Sequence, residues 1–308
     1  MEIYRDPSRT PQERAGDLLS RMTLREKVGQ LTQRLYGFAA YERRGADVEL
    51  TEEFRREVAR YSGLGALYGL HRADPWSGKD FSTGLDGAMA PRVRNQVQRY
   101  VLEHSRLGIP VLFSTECPHG PQVLGGCLLP VNLAAGASFA PELLEKAAQV
   151  CGRQLRELGV DLALVSCLDV LRDPRWGRSE ECFGEDPLMA SRMCEAIVTG
   201  MQGEHRSKVG RGGVAVVLKH LAAQGEAVGG RNGQSAVLGP HDLHEIHLPP
   251  VAAGVRAGAL GFMAAYNDID SVPCCANPWL LEDYLRDQLG FDGIVMADGL
   301  AVDRLEDM

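Results

Sequence analysis

A carboxylate that directly follows an apolar strand pattern is the strongest chemical feature of this sequence. Ile294, Val295 and Met296 form a short apolar run that ends at Asp298 and Gly299. The run predicts a buried parallel strand, and alternating β/α enzymes place catalytic groups at the carboxyl ends of such strands. An aspartate at this position is also a common N-cap of the following helix. Asp298 therefore has two interpretations, a catalytic carboxylate or a helix cap.

Other predicted strands also end in polar side chains. They are Glu116 after residues 111–114, Lys219 and His220 after residues 214–218, and Tyr266 after residues 259–265. A charged pair at the end of a buried strand needs partners, because burying an unpaired charge is costly. Arg178 lies in a polar loop between predicted elements, and loop arginines are usually solvated. These residues are candidate partners for Asp298.

The elements that would position these residues alternate between strand and helix along the chain. Predicted strands cover 63–69, 111–114, 133–139, 160–165, 214–218, 259–265 and 294–296, and predicted helices cover 11–35, 39–62, 92–107, 142–158, 188–202, 241–257 and 279–289. Such alternation is typical of a parallel sheet in an α/β protein. Seven units favour a (β/α)₈ TIM-type barrel that is truncated before its eighth strand. A Rossmann-like sheet is the structural alternative, but no GxGxxG motif follows the first strand.

Composition limits the classes of function. The chain has 308 residues and a formal net charge of -8, which argues against a nucleic-acid or anionic-membrane partner. No apolar run approaches transmembrane length, and the polar start of the sequence contains no secretory signal, so we expect a cytoplasmic protein. The eight cysteines are scattered without zinc-like spacing, which favours reduced thiols. We expect no metal and no cofactor.

Four motifs, in this order, resemble glycoside hydrolase family 3, the retaining exo-acting β-glycosidases. They are RDPRWGR at 172–178 with FGEDP at 183–187, LKH at 218–220 with GGRN at 229–232, AYN at 265–267 with VP at 272–273 and AN at 276–277, and GFDGIVMAD at 290–298. Each motif alone is weak. Together they cover nearly the whole chain and make the resemblance specific.

The resemblance implies a role for each candidate residue. Asp298 is implied to be the nucleophile that forms a covalent glycosyl-enzyme, a task that requires an ionised carboxylate. Glu116, Arg178, Lys219, His220 and Arg231 are implied to line the pocket for the terminal sugar, and Tyr266 to donate a hydrogen bond to the nucleophile. Arg172, Asp173 and Arg175 are interpreted instead as a structural ion-pair network, Trp176 as loop packing, and His119 and His205 as structural or solvent-facing residues.

The sequence departs from the family pattern at three places. Gly299 and Leu300 stand where many members carry an aromatic residue beside the sugar, and Glu116 stands where many carry aspartate. Residues 221–235 contain no histidine and no aspartate, which disfavours the N-acetylglucosaminidase branch. The other members take the acid/base from a second, C-terminal α/β sandwich domain, which we expect to be absent from residues 1–308.

The sequence thus predicts the N-terminal catalytic barrel of an exo-β-glycosidase that acts on a β-glucoside or β-xyloside, with a carbohydrate as its partner. An inactive or truncated sugar-binding barrel is the alternative from another class. A metal-dependent barrel hydrolase is disfavoured, since no metal-ligand spacing occurs. The sugar, the linkage and the oligomeric state do not follow from the sequence.

Overall fold

The computed structural model describes residues 2–203 and 208–307. The chain divides into two compact units, the first ending at Ser114 and the second beginning at Thr115. His205 lies outside the described residues.

The first unit contains four helices and a short parallel strand pair. Its elements are α1 (Pro11–Arg21), α2 (Leu24–Leu31), β1 (Tyr41–Arg44), β2 (Asp47–Leu50), α3 (Glu52–Tyr61), β3 (Ala66–Tyr68), α4 (Met89–Glu103) and the start of β4 (Leu112–Glu116). Helix α2 begins at the predicted capping box, in which Thr23 and Glu26 satisfy each other's backbone N–H groups. Strand β3 pairs in parallel with residues 112–114 of β4. The predicted helix over 11–35 is therefore two helices.

The sequence predicted one helix over residues 39–62, and this prediction is wrong. Strands β1 and β2 form an antiparallel hairpin there, and α3 begins only at Glu52. The turn holds Gly45 at φ +66°, a left-handed conformation that glycine adopts without steric cost. A hairpin this short is difficult to distinguish from a charged helix, because each strand offers only four residues of alternation.

The second unit carries four further parallel strands connected by helices. Its elements are α5 (Asn132–Gly136), α6 (Pro141–Leu158), β5 (Leu162–Ser166), α7 (Pro187–Gln202), β6 (Ala215–Leu221), α8 (Pro240–Asp242), a π-helical turn (Leu243–His247), α9 (Pro249–Ala257), β7 (Gly261–Ala264), the small hairpin β8–β9 (Asp268–Ile269 and Val272–Pro273), a π-helix (Trp279–Gln288) and β10 (Ile294–Ala297). Strands β5, β6, β7 and β10 lie side by side in that order. Cys117, which directly follows β4, donates its backbone N–H to Leu164 of β5.

One predicted strand is a helix. Residues 133–139 form most of α5 and its end rather than a strand, and short apolar runs do not separate the two structures by pattern alone. Gly136 explains the close packing of this helix: a Cβ there would lie 2.0 Å from the carbonyl oxygen of Phe183. Asn132 donates from its side chain to the carbonyl oxygens of Ser166 and Glu181.

The strands of the second unit differ in how deeply they are buried. Every residue of β5 and β6 is buried, and their side chains join a core that includes Leu218, Phe262 and Met193. Strand β10 was predicted to be buried on both faces, but Ile294 is 45% exposed. Within the described residues β10 pairs only with β7, so one edge of the sheet ends there.

The α/β class predicted from the sequence is confirmed. Among the described residues six strands run parallel with helices between them, as in a TIM-type barrel. The absence of an eighth strand stays a prediction.

Candidate active site

The predicted site residues, apart from Arg231, meet in the second unit near the carboxyl ends of its strands. Glu116 is the last residue of β4, and Asp298 directly follows β10. Lys219 and His220 lie near the carboxyl end of β6. Tyr266 follows β7 by two residues. Carboxyl ends of parallel strands lie at one edge of a sheet, which explains how residues so distant in sequence converge.

Lys219 and Glu116 form a buried ion pair. Lys219 Nζ lies 2.6 Å from Glu116 Oε2, and the two side chains are 5% and 12% exposed. Burial by itself lowers the pKa of Lys219, but the charges of Glu116 and Glu181 outweigh it and the pKa of Lys219 is raised. The ammonium group therefore stays charged at the edge of the sheet.

Arg178 and Glu181 form the second ion pair of the site. Arg178 donates from Nε and Nη2 to the two oxygens of Glu181, at 2.6 and 2.8 Å, and Ser166 also donates to Oε2 of Glu181. Burial favours the neutral form of Glu181, but the hydrogen bonds and charge of Arg178 and the charge of Lys219 hold its pKa well below the usual range. The pKa of Arg178 is raised in turn by Glu181, against the effect of burial. This bidentate geometry is the strong form of the arginine–carboxylate interaction.

His220 is fixed in one tautomer by its two neighbours. Its ring Nδ1 lies 2.7 Å from Asp169 Oδ2, which also accepts the His220 backbone N–H at 3.2 Å. Nε2 lies 3.0 Å from Nη2 of Arg178. Because a guanidinium only donates, Nε2 must accept and Nδ1 must carry the hydrogen. Both ring nitrogens of His220 thus have a hydrogen-bond partner in this arrangement.

Asp298 is a partly exposed acid with an unsatisfied oxygen. Its backbone N–H donates to Ala264 of β7, and its Oδ1 accepts the N–H of Gly299 at 2.7 Å. Its Oδ2 is buried and has no hydrogen-bond partner among the described residues. Oδ2 lies 3.5 Å from His220 Nε2, and that nitrogen already accepts from Arg178. A buried, unpaired carboxylate oxygen is rare in a stable structure and calls for a functional explanation.

Tyr266 is held in the site differently from the prediction. Its hydroxyl oxygen accepts from Arg178 Nη1 at 3.1 Å and from the side-chain amide of Asn232. We expected this hydroxyl to donate to Asp298, and within the described residues it does not, because Oδ2 of Asp298 has no partner. Asn232 is fixed in turn, since its Oδ1 accepts from Trp176 Nε1 at 3.0 Å and from the Gln224 amide.

The remaining candidates lie outside this network. Arg231 is exposed and forms no hydrogen bond or ion pair with the cluster among residues 2–203 and 208–307. Trp176 is 2% exposed, in agreement with loop packing. Arg175 forms a bidentate pair with Asp173, and Arg172 lies 3.4 Å from Glu226, so the predicted ion pairs form at the loop surface rather than as one network. His119 is half-buried.

The described residues contain no group of three or more His, Cys, Asp or Glu side chains arranged to hold a metal ion. In the same residues, no helix has both the length and the apolar character needed to span a membrane. What the site does contain is a partly exposed carboxylate with an unpaired oxygen, a buried lysine, a half-buried arginine and several hydrogen-bonding groups. Such a set can attack an electrophilic carbon while binding hydroxyl groups.

Comparison with known proteins gives a consistent result. The profile described as Glycosyl hydrolase family 3 N terminal domain matches residues 23–308. The chain belongs to this family. A putative beta-xylosidase of Formosa agariphila is 32% identical over 303 residues, covering 98% of this chain and 38% of the relative. A periplasmic beta-glucosidase of Salmonella typhimurium is 31% identical, covering 94% of this chain and 33% of the relative.

Solved structures of family 3 enzymes have the same fold. A beta-glucosidase of Erythrobacter marinus is superimposed with a TM-score of 0.85 at 31% identity, covering 100% of this chain and 38% of that protein. A beta-glucosidase of Listeria innocua gives 0.82 at 31% identity, covering 97% of this chain and 38% of that protein. The chain therefore spans little more than a third of the length of these relatives.

Two residues of this family 3 site were missed from the sequence alone. Asp169 and Glu181 lie in the loop after β5, and each holds a predicted site residue through hydrogen bonds. The spacing between Arg178 and Glu181 is a weak signal for an ion pair, since such residues face each other only if that stretch is helical, which residues 179–181 are. Asp169 had no comparable signal, because its partner is 51 residues away.

Proposed function

We propose that this chain carries the nucleophile and most of the sugar site of a retaining exo-acting β-glycosidase. The unpaired Oδ2 of Asp298, at the end of β10, is the observation that carries the proposal. Asp169 Oδ1 also has no hydrogen-bond partner among the described residues, but the Asp169 side chain is 1% exposed and binds His220 through Oδ2, whereas that of Asp298 is 16% exposed. Asp298 is therefore the acid whose unpaired oxygen is the more accessible to a substrate carbon.

The chemistry follows from this arrangement. Oδ2 of Asp298 attacks the anomeric carbon while the bond from that carbon to the leaving oxygen breaks, and an acid protonates the leaving oxygen. Water then attacks the same carbon after losing a proton to the conjugate base, and the bond to Asp298 breaks. Two inversions give net retention at the anomeric carbon. Lys219 and Arg178 would donate to sugar hydroxyls in both steps, and Glu116 would accept from one.

The acid/base is proposed to come from residues outside this chain. Glu181 accepts from three donors, Glu116 is bound to Lys219, and Asp169 is bound to His220, so none of the three is suited to deliver a proton. The much greater length of the relatives leaves room for such a residue elsewhere in the protein.

A β-glucoside or a β-xyloside is the proposed substrate. The relatives are described as β-xylosidases and β-glucosidases, and the Listeria innocua enzyme has been crystallised with glucose and with laminaribiose. The side chains that face the site are hydrogen-bonding and charged, as recognition of hydroxyl groups requires.

Proton NMR of the first product tests the mechanism. The complete protein is given an aryl β-glucoside or aryl β-xyloside, and we expect the β-anomer to appear before mutarotation. Initial release of the α-anomer would contradict the covalent mechanism. A protein that binds the sugar but hydrolyses neither glycoside would show that the barrel is a binding module.

A further inference from the structure

An exposed tryptophan in the first unit stands out from the other two tryptophans of the chain. Trp76 is 54% exposed, whereas Trp176 is buried and Trp279 is half-buried. An exposed indole ring carries a large hydrophobic cost, and such rings at a protein surface commonly contact a ligand or partner. Trp76 lies in the long polar loop that follows strand β3.

The side chains around Trp76 hold its ring in a fixed orientation. The ring centroids of Tyr36 and Phe38 lie 5.0 and 5.2 Å from that of Trp76, at interplanar angles of 82° and 85°. The guanidinium carbon of Arg72 lies 4.4 Å from the Trp76 centroid and covers one face of the ring. Tyr36 and Phe38 are themselves stacked at 5.3 Å. The indole is therefore rigid before any ligand arrives.

The backbone that carries Trp76 is also fixed. Asp74 accepts from Nε of Arg72 at 2.7 Å and from the backbone N–H of Ser77 at 2.8 Å, and the Ser77 hydroxyl donates to the Asp74 carbonyl oxygen. A preorganised aromatic ring loses little conformational entropy when it binds a ligand. Trp76 and its supports, Tyr36, Phe38, Arg72 and Asp74, are called the Trp76 platform.

The surroundings of the Trp76 platform favour a polar ligand with an apolar face. The loop from 71 to 90 contains five charged residues, namely Arg72, Asp74, Lys79, Asp80 and Asp86, together with several hydroxyl groups. Arg72 and Asp74 are paired with each other, and a purely apolar ligand would make no hydrogen bond to the hydroxyl groups of this loop. A β-linked glucopyranose or xylopyranose unit instead presents axial C–H bonds on its ring faces and hydroxyl groups around its edge. Aromatic rings flanked by a few polar groups suit such a ligand.

We propose that the Trp76 platform is a carbohydrate-binding surface that stacks a pyranose ring of a β-linked gluco- or xylo-oligosaccharide. The class of sugar rests on the proposed function, and the binding itself rests on the geometry of the platform. Family 3 relatives that act on or bind such glucans include an exo-1,3/1,4-beta-glucanase of Pseudoalteromonas and the Listeria innocua enzyme with laminaribiose.

Titration of the complete protein with cellotriose, laminaritriose and xylotriose tests this proposal. The measurements use the Asp298→Asn background, so that the sugars are not consumed. We expect at least one trisaccharide to shift tryptophan emission, because Trp76 is the exposed indole, and sorbitol at equal hydroxyl concentration to leave it unchanged. Trp76→Phe should remove the shift, and Trp76→Ala should raise the calorimetric Kd about 5- to 10-fold.

Phe81→Ala is the matched control. Phe81 is 65% exposed but makes no ring contact with the platform, so the Kd of this variant should equal that of the background protein.

Three results would overturn the proposal. The first is an unchanged Kd in Trp76→Ala, and the second is an equal loss of sugar affinity in Phe81→Ala. The third is a lowered melting temperature in Trp76→Ala with unchanged sugar binding, which would make the platform a contact with another part of the protein. Aryl β-glucoside hydrolysis by the protein with Asp298 intact is measured separately. Hydrolysis without an effect at Trp76 would refute only this inference, and sugar binding at Trp76 without hydrolysis would refute only the proposed enzyme activity.

Discussion

Two carboxylates of the second unit show how the same chemical group can serve different purposes. Glu181 lies in the loop after β5 and accepts from Arg178 twice and from Ser166 once. Asp298 follows β10 and accepts from one backbone N–H, while its other oxygen has no partner among the described residues. Their side chains are similarly shielded, at 12% and 16% exposed.

The difference between these acids lies in what each can give to a reaction. A carboxylate that accepts three hydrogen bonds is stabilised as an anion and is a poor nucleophile, because its lone pairs are occupied. An unpaired oxygen costs stability in the free protein and gains a bond when the substrate arrives. Glu181 thus maintains the position and charge of Arg178, whereas Asp298, the proposed nucleophile, has an oxygen that no hydrogen bond occupies.

The largest expected effect is on turnover when Asp298 loses its charge. Asp298→Asn in the complete protein should lower kcat on an aryl β-glucoside by about 10³-fold or more, because an amide cannot act as the anionic nucleophile. The melting temperature should change little, since Oδ2 makes no hydrogen bond to lose. Near-normal rates would mean that Asp298 is only a helix cap.

Replacement of Glu181 should lower stability more than activity, the opposite of the effect expected for Asp298→Asn. In Glu181→Gln the half-buried Arg178 loses its charged partner, and we expect a loss of about 1.5–3 kcal/mol in the free energy of unfolding, the range for hydrogen bonds to charged groups. Its effect on kcat/KM should be smaller than that of Asp298→Asn. Denaturant unfolding of Glu181→Gln and Asp298→Asn measures the two stabilities. Equal free energies of unfolding for these variants would contradict the distinction between the acids.

A smaller effect is expected at Asp169, which acts through His220. Asp169→Asn retains an oxygen that can accept from Nδ1 but loses the negative charge, so we expect kcat/KM to fall about 10-fold with folding preserved. Asp169→Ala, which lacks any acceptor, should lose more activity than Asp169→Asn. Equal kcat/KM values for wild type, Asp169→Asn and Asp169→Ala would assign Asp169 a purely structural role.

The smallest predicted effect is on the pH dependence of stability. The pKa of Glu181 is lowered in the folded state from its ordinary value of 4.5, so its contribution is fully present above that value and is lost as pH falls below it. The difference in unfolding free energy between wild type and Glu181→Gln should therefore shrink as pH decreases from 5 toward 3. A difference that stays constant over this range would contradict the lowered pKa.

The sequence predicted the convergence of the site better than the local structure of its frame. Lys219, His220 and Asp298 were placed correctly because polar residues after apolar runs mark strand ends in a parallel sheet. The hairpin β1–β2 and helix α5 were missed because short segments carry too little periodicity to separate strand from helix. The position of Asp169 and the donors to the Tyr266 hydroxyl depend on contacts between distant residues, which no local pattern encodes.

Covalent trapping tests the central claim most directly. A 2-deoxy-2-fluoro-β-glucoside with a dinitrophenolate leaving group should accumulate as a glycosyl-enzyme. The fluorine destabilises the oxocarbenium-like transition states of both steps, while the good leaving group keeps the first step fast enough to form the intermediate. Proteolysis and mass spectrometry of the labelled complete protein should then place the sugar on the peptide containing Asp298, one label per chain, with Glu181 unmodified. Labelling of Glu181, Glu116 or Asp169 instead, with Asp298 unmodified, would contradict the account.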